Sequence, residues 1–503
     1  MSETAAVTAT VAILTDGEWH RLHPASPLLK GGIALIAILG VVVANLRERL
    51  VAIFFPSFEE GDNPVDYVVN HGYILQALLI TAALLVVLIV GFYFSWRMHT
   101  FRITEEVVEV RSGILFRTNR KARLDRIQGI NIVRPFFARL FGAAKLEINQ
   151  AGHDANLQLS YLASSAADDL RREILRLASG SRTAASPGAA APEATGFIDR
   201  RVGEFLAPEL DPSFVEPDSV VRIHLGRLFG SMVLSGATVF LVIVLVAIIV
   251  WVSTTGDIYA LFFALPSLFG FGSFYVRRFT KALRYTIAGT PDGVRVGYGL
   301  LSTSNETIPP GRIHSVQVSQ SLLWRPAGWW EVRVNVASHS SAKGAAGQAN
   351  TTILPVGNFD ETMRVLALVL PGFIVPDFRA VGQGDGFVNS PRRAAWLRPF
   401  SWRRNGFATG ADWLLLRRGA IWRQLVVVPQ PRLQSVAIEQ GPLLRALRLA
   451  RIELHTVTGP IHADLGAVDK DAAIAFFGEV ADAAVQSARR DTSHRWRSGE
   501  LPA

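Results

Sequence analysis

Four stretches of the chain are free of charge and long enough to consider as membrane spans, and they fall in two pairs. They are Gly31–Leu46, Gly72–Trp96, Leu228–Gly256 and Ile258–Val276. A crossing takes about 20 apolar residues. The second and third stretches meet that length and the fourth is adequate. The first is short, and reaches across with Leu28, Leu29 and snorkelling by Lys30 and Arg47. The pattern predicts two helical hairpins, over 28–96 and 215–276. Elsewhere the period changes to that of strands. Phe101–Thr104, Val107–Arg111, Arg284–Ile287 and Gly293–Val296 alternate or are β-branched, and Leu124–Val133, Ile308–Val318 and Val426–Ile438 read as further strands. Amphipathic helices are expected over Ala166–Leu177, Phe359–Val369 and Lys470–Val485.

The strands repeat. Gly113, Arg126-Ile-Gln-Gly-Ile and Leu146-Glu-Ile return as Gly299, Arg312-Ile-His-Ser-Val and Val332-Arg-Val. They return again as Gly419, Arg432-Leu-Gln-Ser-Val and Ile452-Glu-Leu. In each copy the glycine precedes the arginine by 13 residues, and the arginine precedes the strand by 20. A repeat of this kind organises the whole chain. Gly113, Gly299 and Gly419 sit between strand-like runs, where a turn with positive φ is expected. Each copy should be a small β-barrel or sandwich closed by its helix, at 97–178, 277–380 and 396–490. Around these lie an N-terminal segment (1–27), linkers rich in small residues (179–214 and 381–395) and a tail (491–503). The third copy has no hydrophobic hairpin.

Charge gives the arrangement a direction. The chain of 503 residues carries a formal net charge of +9. Arg97, Arg102, Arg222, Arg227, Arg277, Arg278, Lys281 and Arg284 flank the apolar pairs on their outer ends. By the positive-inside rule, the copies and both termini then face the cytoplasm of a multi-pass plasma-membrane protein. There is no cysteine, which excludes disulfides, thiolate metal sites and thiol nucleophiles. No HExxH, Walker loop, nucleophile elbow or dinucleotide fingerprint is present. No catalytic residue, metal site or cofactor is expected.

The third copy is strongly basic. Residues 391–455 hold twelve arginines against Asp412, Glu439 and Glu453, interleaved with Trp396, Trp402, Trp413 and Trp422. Such a face is either solvated around core tryptophans, or an interface for anionic lipid. Single-stranded nucleic acid would suit the same chemistry. Tethering beside a bilayer favours lipid over nucleic acid. Arg126, Arg312, Arg432, Arg417, Arg418 and Arg423 are the candidates for binding an anionic head group or a partner. The repeated arginine equally suits a structural role. In Leu322–Val334, core packing of Trp324, Trp329 and Trp330 outweighs a membrane-dipping loop.

Paired apolar helices followed by Arg126-Ile-Gln, Arg312-Ile-His and Arg432-Leu-Gln strands resemble bacterial pleckstrin-homology-like membrane proteins of the YdbS/YdbT type. The resemblance is to the longer, YdbT-like kind. It covers roughly 15–180 and 215–485, and His314 departs from the glutamine of the other copies. It implies membrane α + β architecture, two transmembrane hairpins with three pleckstrin-homology-like domains, and a shorter YdbS-like single-domain partner. The expected function is a non-catalytic scaffold that docks a partner protein or anionic phospholipids, with oligomers possible in principle. The competing expectation is a subunit of a transport or export complex, although the spans carry no internal charge.

Overall fold

The computed structural model describes residues 17–22, 26, 73–113, 117–150, 156–178, 221–256, 260–300, 302–309, 311–337, 351–373, 386–410 and 412–490. The expected span Gly31–Leu46, the linker 179–214 and the tail 491–503 lie outside these residues. Two compact units are present. One comprises Met1–Arg123, Phe137–Leu146 and Leu157–Leu170; the other comprises Leu124–Phe136, Glu147–Asn156 and Arg171–Ala503.

In the first unit, β1 (His20–Arg21), β2 (Thr100–Ile103), β3 (Val107–Ser112) and β4 (Thr118–Arg123) form a sheet in that order. Helix α1 (Ile74–Arg97) runs directly into β2. Its Trp96 indole donates to the Leu22 carbonyl at 3.0 Å, so the helix end is fixed beside the leading strand. Phe101, Ile103, Val108 and Ala122 are fully buried and form the inner face. The first copy continues through β5 (Ile127–Arg134), α2 (Phe136–Leu140), β6 (Ala143–Gln150), β7 (Leu157–Ala163) and α3 (Ser164–Ala178).

The second copy contains β8 (Val221–Arg222), α4 (Leu225–Val233), α5 (Gly236–Thr255), α6 (Ala260–Ala282), β9 (Thr286–Thr290), β10 (Gly293–Tyr298) and β11 (Thr303–Ile308). It ends with β12 (Ile313–Gln320), β13 (Trp330–Val336), β14 (Thr352–Gly357) and α7 (Phe359–Val369). The third copy opens with β15 (Val388–Asn389), β16 (Gly406–Thr409), β17 (Trp413–Arg418), β18 (Arg423–Pro429) and β19 (Ser435–Glu439). It closes with α8 (Pro442–Ala446), β20 (Leu449–His455), β21 (Ala463–Asp469) and α9 (Lys470–Arg490).

Sheets in the second unit run across copy boundaries. One has the order β5-β11-β10-β9-β8, another β14-β13-β12-β18-β17-β16-β15, and the third β19-β20-β21. The copies are therefore open sandwiches, and the closed-barrel form of the expectation is corrected. The edges that closure would use are occupied by the next copy: β5 pairs with β11, and β12 with β18.

This sharing explains apolar runs that do not alternate with polar residues. On β17 and β18, Leu415, Leu425 and Val427 join the core of the second copy, with Val316, Val332, Val334 and Leu366. Their neighbours Leu414, Leu416, Val426 and Val428 join the core of the third copy, with Ile452, Leu454 and Phe476. A strand buried on both faces needs apolar residues at every position.

Three expected strands are interrupted. In Leu124–Val133, a 3-10 turn at Leu124–Arg126 precedes β5, and in Val426–Ile438 a turn at Gln430–Arg432 separates β18 from β19. Ile308 ends β11 and Ile313 begins β12. Pro309, Pro429 and Pro431 supply no N–H to a ladder at these places, so the chain leaves one sheet and enters the next. The repeated arginine stands at that switch.

Helix α5 is long and apolar enough to cross a membrane and is unburied, the only such helix among the described residues. The Ser235 hydroxyl caps its start through the Thr238 amide, and Gly256 ends it with φ 68°. Thr238 and Tyr275 hydroxyls meet at 2.6 Å, joining α5 to α6.

Candidate functional site

Each copy opens with a two-residue strand separated from the rest of its sheet by an insert. Val221 and Arg222 pair with Ile287 and Thr286, although α4, α5 and α6 lie between them. His20 and Arg21 pair with Phe101 and Thr100, with α1 in the interval. Val388 and Asn389 pair with Phe407 and Gly406 in the same way. In the third copy, therefore, residues 390–405 occupy the place that the apolar helices occupy in the other two. These leading strands were missed by sequence reasoning, which placed them in the N-terminal segment, a hairpin and a linker. Two residues are too short to show a period.

The third insert is a pair of 3-10 turns, Arg392–Trp396 and Trp402–Arg404. Trp396 is 84% exposed and Phe400 82%, so the loop presents two aromatic side chains to solvent. Its inner side is fixed. Arg393 pairs with Asp469, and the buried Asn405 donates to Ser390 Oγ at 2.8 Å and to the Gly466 carbonyl at 2.6 Å.

Beneath the loop lies a concentration of arginine. Arg404 is buried and pushed down to about 10, first by burial and then by the charges of Arg423, Arg417 and Arg325. Arg325 is lowered by burial and by Arg423, and it donates to the Ile421 carbonyl at 3.2 Å. Ile421 and Trp422, both exposed, form the tip of the β17–β18 hairpin. On its other side, Arg325 follows Trp324, which packs in one cluster with Leu228 of α4. Helix α4 turns Leu225, Phe229 and Val233 outward, one above another at a spacing of four residues, immediately before α5 begins. Exposed apolar side chains thus stand on α4, at Leu322 and Leu323, and at the third copy's hairpin tip, which Arg325 contacts.

The candidate arginines separate by role. Arg417 is fully buried, donates to Asn389 Oδ1 at 2.9 Å and lies 4.1 Å from the Phe387 ring centroid. It stands inside the fold, where a head group does not reach. Arg418 pairs with Asp464 and donates to Gln424 Oε1 at 2.8 Å. Arg423 donates to Gln320 Oε1 at 3.4 Å across the boundary between copies. Arg312 donates to the Asp125 carbonyl at 3.1 Å, in the turn that ends at the exposed Arg126. Gly113, Gly299 and Gly419 have φ of 108°, 106° and 82°, and a Cβ on Gly419 would stand 1.9 Å from the Trp422 carbonyl. Trp324 and Trp330 are buried core residues.

His314 is pushed down to about 4 by burial, then by Arg432, with a smaller contribution from Arg312. The folded state therefore favours neutral imidazole. Its contribution to stability is present above pH 6.5 and is lost as pH falls from there towards 4. Melting of the full chain in detergent should show this acid sensitivity. His314→Gln, which installs the residue of the other two copies, should flatten it; an unchanged pH profile would count against the assignment.

Among the described residues there is no cluster of three or more His, Asp or Glu able to hold a metal. What the geometry offers is strands shared between copies and, in the third copy, a loop with exposed aromatics. The Bacterial PH domain pattern matches residues 35–178, 223–369 and 351–484. The chain belongs to the bacterial PH domain family. Its matches take in the three copies, and the first two also include apolar segments. The UPF0699 transmembrane protein YdbT of Bacillus subtilis (strain 168) is 22% identical over 163 residues, which are 32% of this chain and 30% of that protein. The match thus spans less than a third of that relative's length. These matches indicate no enzymatic family.

Proposed function

We propose that the protein is a membrane-anchored, non-catalytic scaffold whose three bacterial PH domains hold partner proteins and anionic head groups at the cytoplasmic face. A relative named as a transmembrane protein supports the location, as does the exposed apolar surface of α5. The pairing of β8 with β9 supports a hairpin rather than a single span. A hydrogen-bonded ladder lies wholly on one side of a bilayer, so the chain between its strands crosses an even number of times. A crossing by α5 therefore calls for a return, which α6 supplies. The same parity applies between β1 and β2. Basic residues at the foot of α6, Arg277, Arg278 and Lys281, favour the cytoplasm for these domains.

The observation that carries the lipid part is the third insert. It stands where the other copies send chain into the membrane, and it shows Trp396 and Phe400 on a loop that also exposes Arg392 and Arg403. Tryptophan beside arginine suits the boundary between phosphates and acyl chains. The absence of cysteine makes a single-label test clean. Phe400→Cys, carrying an environment-sensitive dye, is reconstituted as the full chain in vesicles. Emission should shift to the blue in phosphatidylglycerol vesicles, less in phosphatidylcholine, and the difference should shrink with salt. A label at Asp482→Cys on α9 should not respond. Water-like emission from position 400 in both lipids would remove the lipid role of this loop.

A further inference from the structure

The two joints between copies share one register. Ile130, Asn131, Ile132, Val133 and Arg134 face Thr307, Glu306, Asn305, Ser304 and Thr303. Val316, Gln317, Val318, Ser319 and Gln320 face Val427, Val426, Leu425, Gln424 and Arg423. Ile130 and Val316 each stand four residues after the repeated arginine, and Thr307 and Val427 each stand eight after the repeated glycine. Copy joins copy by one rule: the strand after the arginine pairs antiparallel with the strand after the next copy's glycine.

Applying that rule along the chain leaves two halves of a joint over. Among the described residues, β4 pairs only with β3, and β19 pairs only with β20. β4 is the first copy's strand after its glycine, the equivalent of β11 and β18. β19 is the third copy's strand after its arginine, the equivalent of β5 and β12. We propose that these halves meet between molecules: β19 of one chain pairs with β4 of a second copy, in the internal register, joining chains head to tail.

The chemistry of the two edges fits. Unblunted edges are aggregation sites that proteins usually protect with charge, proline or a bulge. β19 has none of these over Val436, Ala437 and Ile438, which are only half-buried. β4 is basic, with Arg120, Lys121 and Arg123. The internal register sets Val436, Ala437, Ile438 and Glu439 opposite Lys121, Arg120, Asn119 and Thr118. Ala437 is the smallest residue of that set and pairs on its other side with Glu453. Arg120 would therefore lie over Ala437, with Glu453 directly beyond and Glu439 two positions along on the same face. At the first internal joint the corresponding row is Glu147, Asn131 and Glu306, where Asn131 Nδ2 lies 3.5 Å from Glu147. An acid facing an asparagine there becomes acids facing an arginine here. Such heterologous contacts build chains or rings rather than closed twofold dimers.

This self-association does not rest on the lipid reading and is measured without lipid. Full-length Asn119→Cys and Ile438→Cys proteins are mixed in detergent and oxidised. The expected product is a disulfide-linked species at twice the 54.9 kDa chain mass. The double variant N119C/I438C should give a ladder of higher multiples. Asn119→Cys mixed with Ala437→Cys, one residue out of register, should lose the product because the thiols then point to opposite faces. A photo-crosslinking residue at Ile438 in cell membranes tests the occupant, and an adduct at twice the chain mass agrees. No crosslink in register, equal yield out of register, or an adduct only to a smaller protein would each overturn the second-copy joint.

Discussion

Asn335→Ala should raise hydrogen exchange over residues 456–465 by about a hundredfold, equivalent to about 2.8 kcal/mol. The side chain is fully buried on β13 of the second copy, yet it serves the third. Its Nδ2 donates to the Ile461 carbonyl at 2.9 Å, and its Oδ1 accepts the Ile461 amide at 3.1 Å. Truncation leaves both backbone groups of a 4%-exposed residue without these bonds, and a buried polar group that loses its partner costs its full desolvation. The segment carrying Ile461 fits closely here: a Cβ on Gly459 would stand 2.3 Å from Asn335 Oδ1. Exchange unchanged from the parent would mean that the segment is held by apolar packing alone.

Glu361→Ala should cost about 3 kcal/mol, and Glu361→Gln distinctly less. The carboxylate performs two tasks. It completes the capping box of α7, accepting the Asn358 amide at 2.9 Å while Asn358 Oδ1 accepts the Glu361 amide at 2.8 Å. It also pairs with Arg227 of α4, 134 residues earlier. Glutamine keeps the cap and gives up the ion pair; alanine gives up both and strands a guanidinium whose side chain is 18% exposed. Melting of the full chain in detergent should rank the parent above E361Q and E361Q above E361A. Equal melting of the two variants would show that the cap contributes nothing. Because α4 leads straight into α5, the same pair fixes the foot of the apolar helix to the second domain's closing helix.

The repeat spacing, the three closing helices and the strand content were legible because each rests on a strong local pattern. Phe359–Val369 even matched its helix end to end, its start marked by the Asn358 and Glu361 signature. Closure of the domains was not legible. Whether β5 meets its own domain or the next depends on edges more than 160 residues apart, which no local period encodes. Val426–Ile438 looked like one strand because its apolar residues continue, while Pro429 and Pro431 mark where it changes sheet. Among candidate binding residues, sequence saw arginines but not their depth. Arg417 and Arg418 are neighbours, yet one is interior and the other is committed to Asp464. Phe400, with no motif around it, emerged only because the leading strand β15 defined an insert.

The leading strands also constrain how the protein is made. Val221 and Arg222 leave the ribosome well before Ile287 and Thr286, and all of α4, α5 and α6 must be placed before they can pair. Distant pairings of this sort close late. Completion of the second copy's sheet thus reports that the three helices between its strands have been placed. A nascent chain whose inserted helices were misplaced would keep an unpaired edge exposed at Ile287 and Thr286, a mark by which quality control could tell it from a finished molecule.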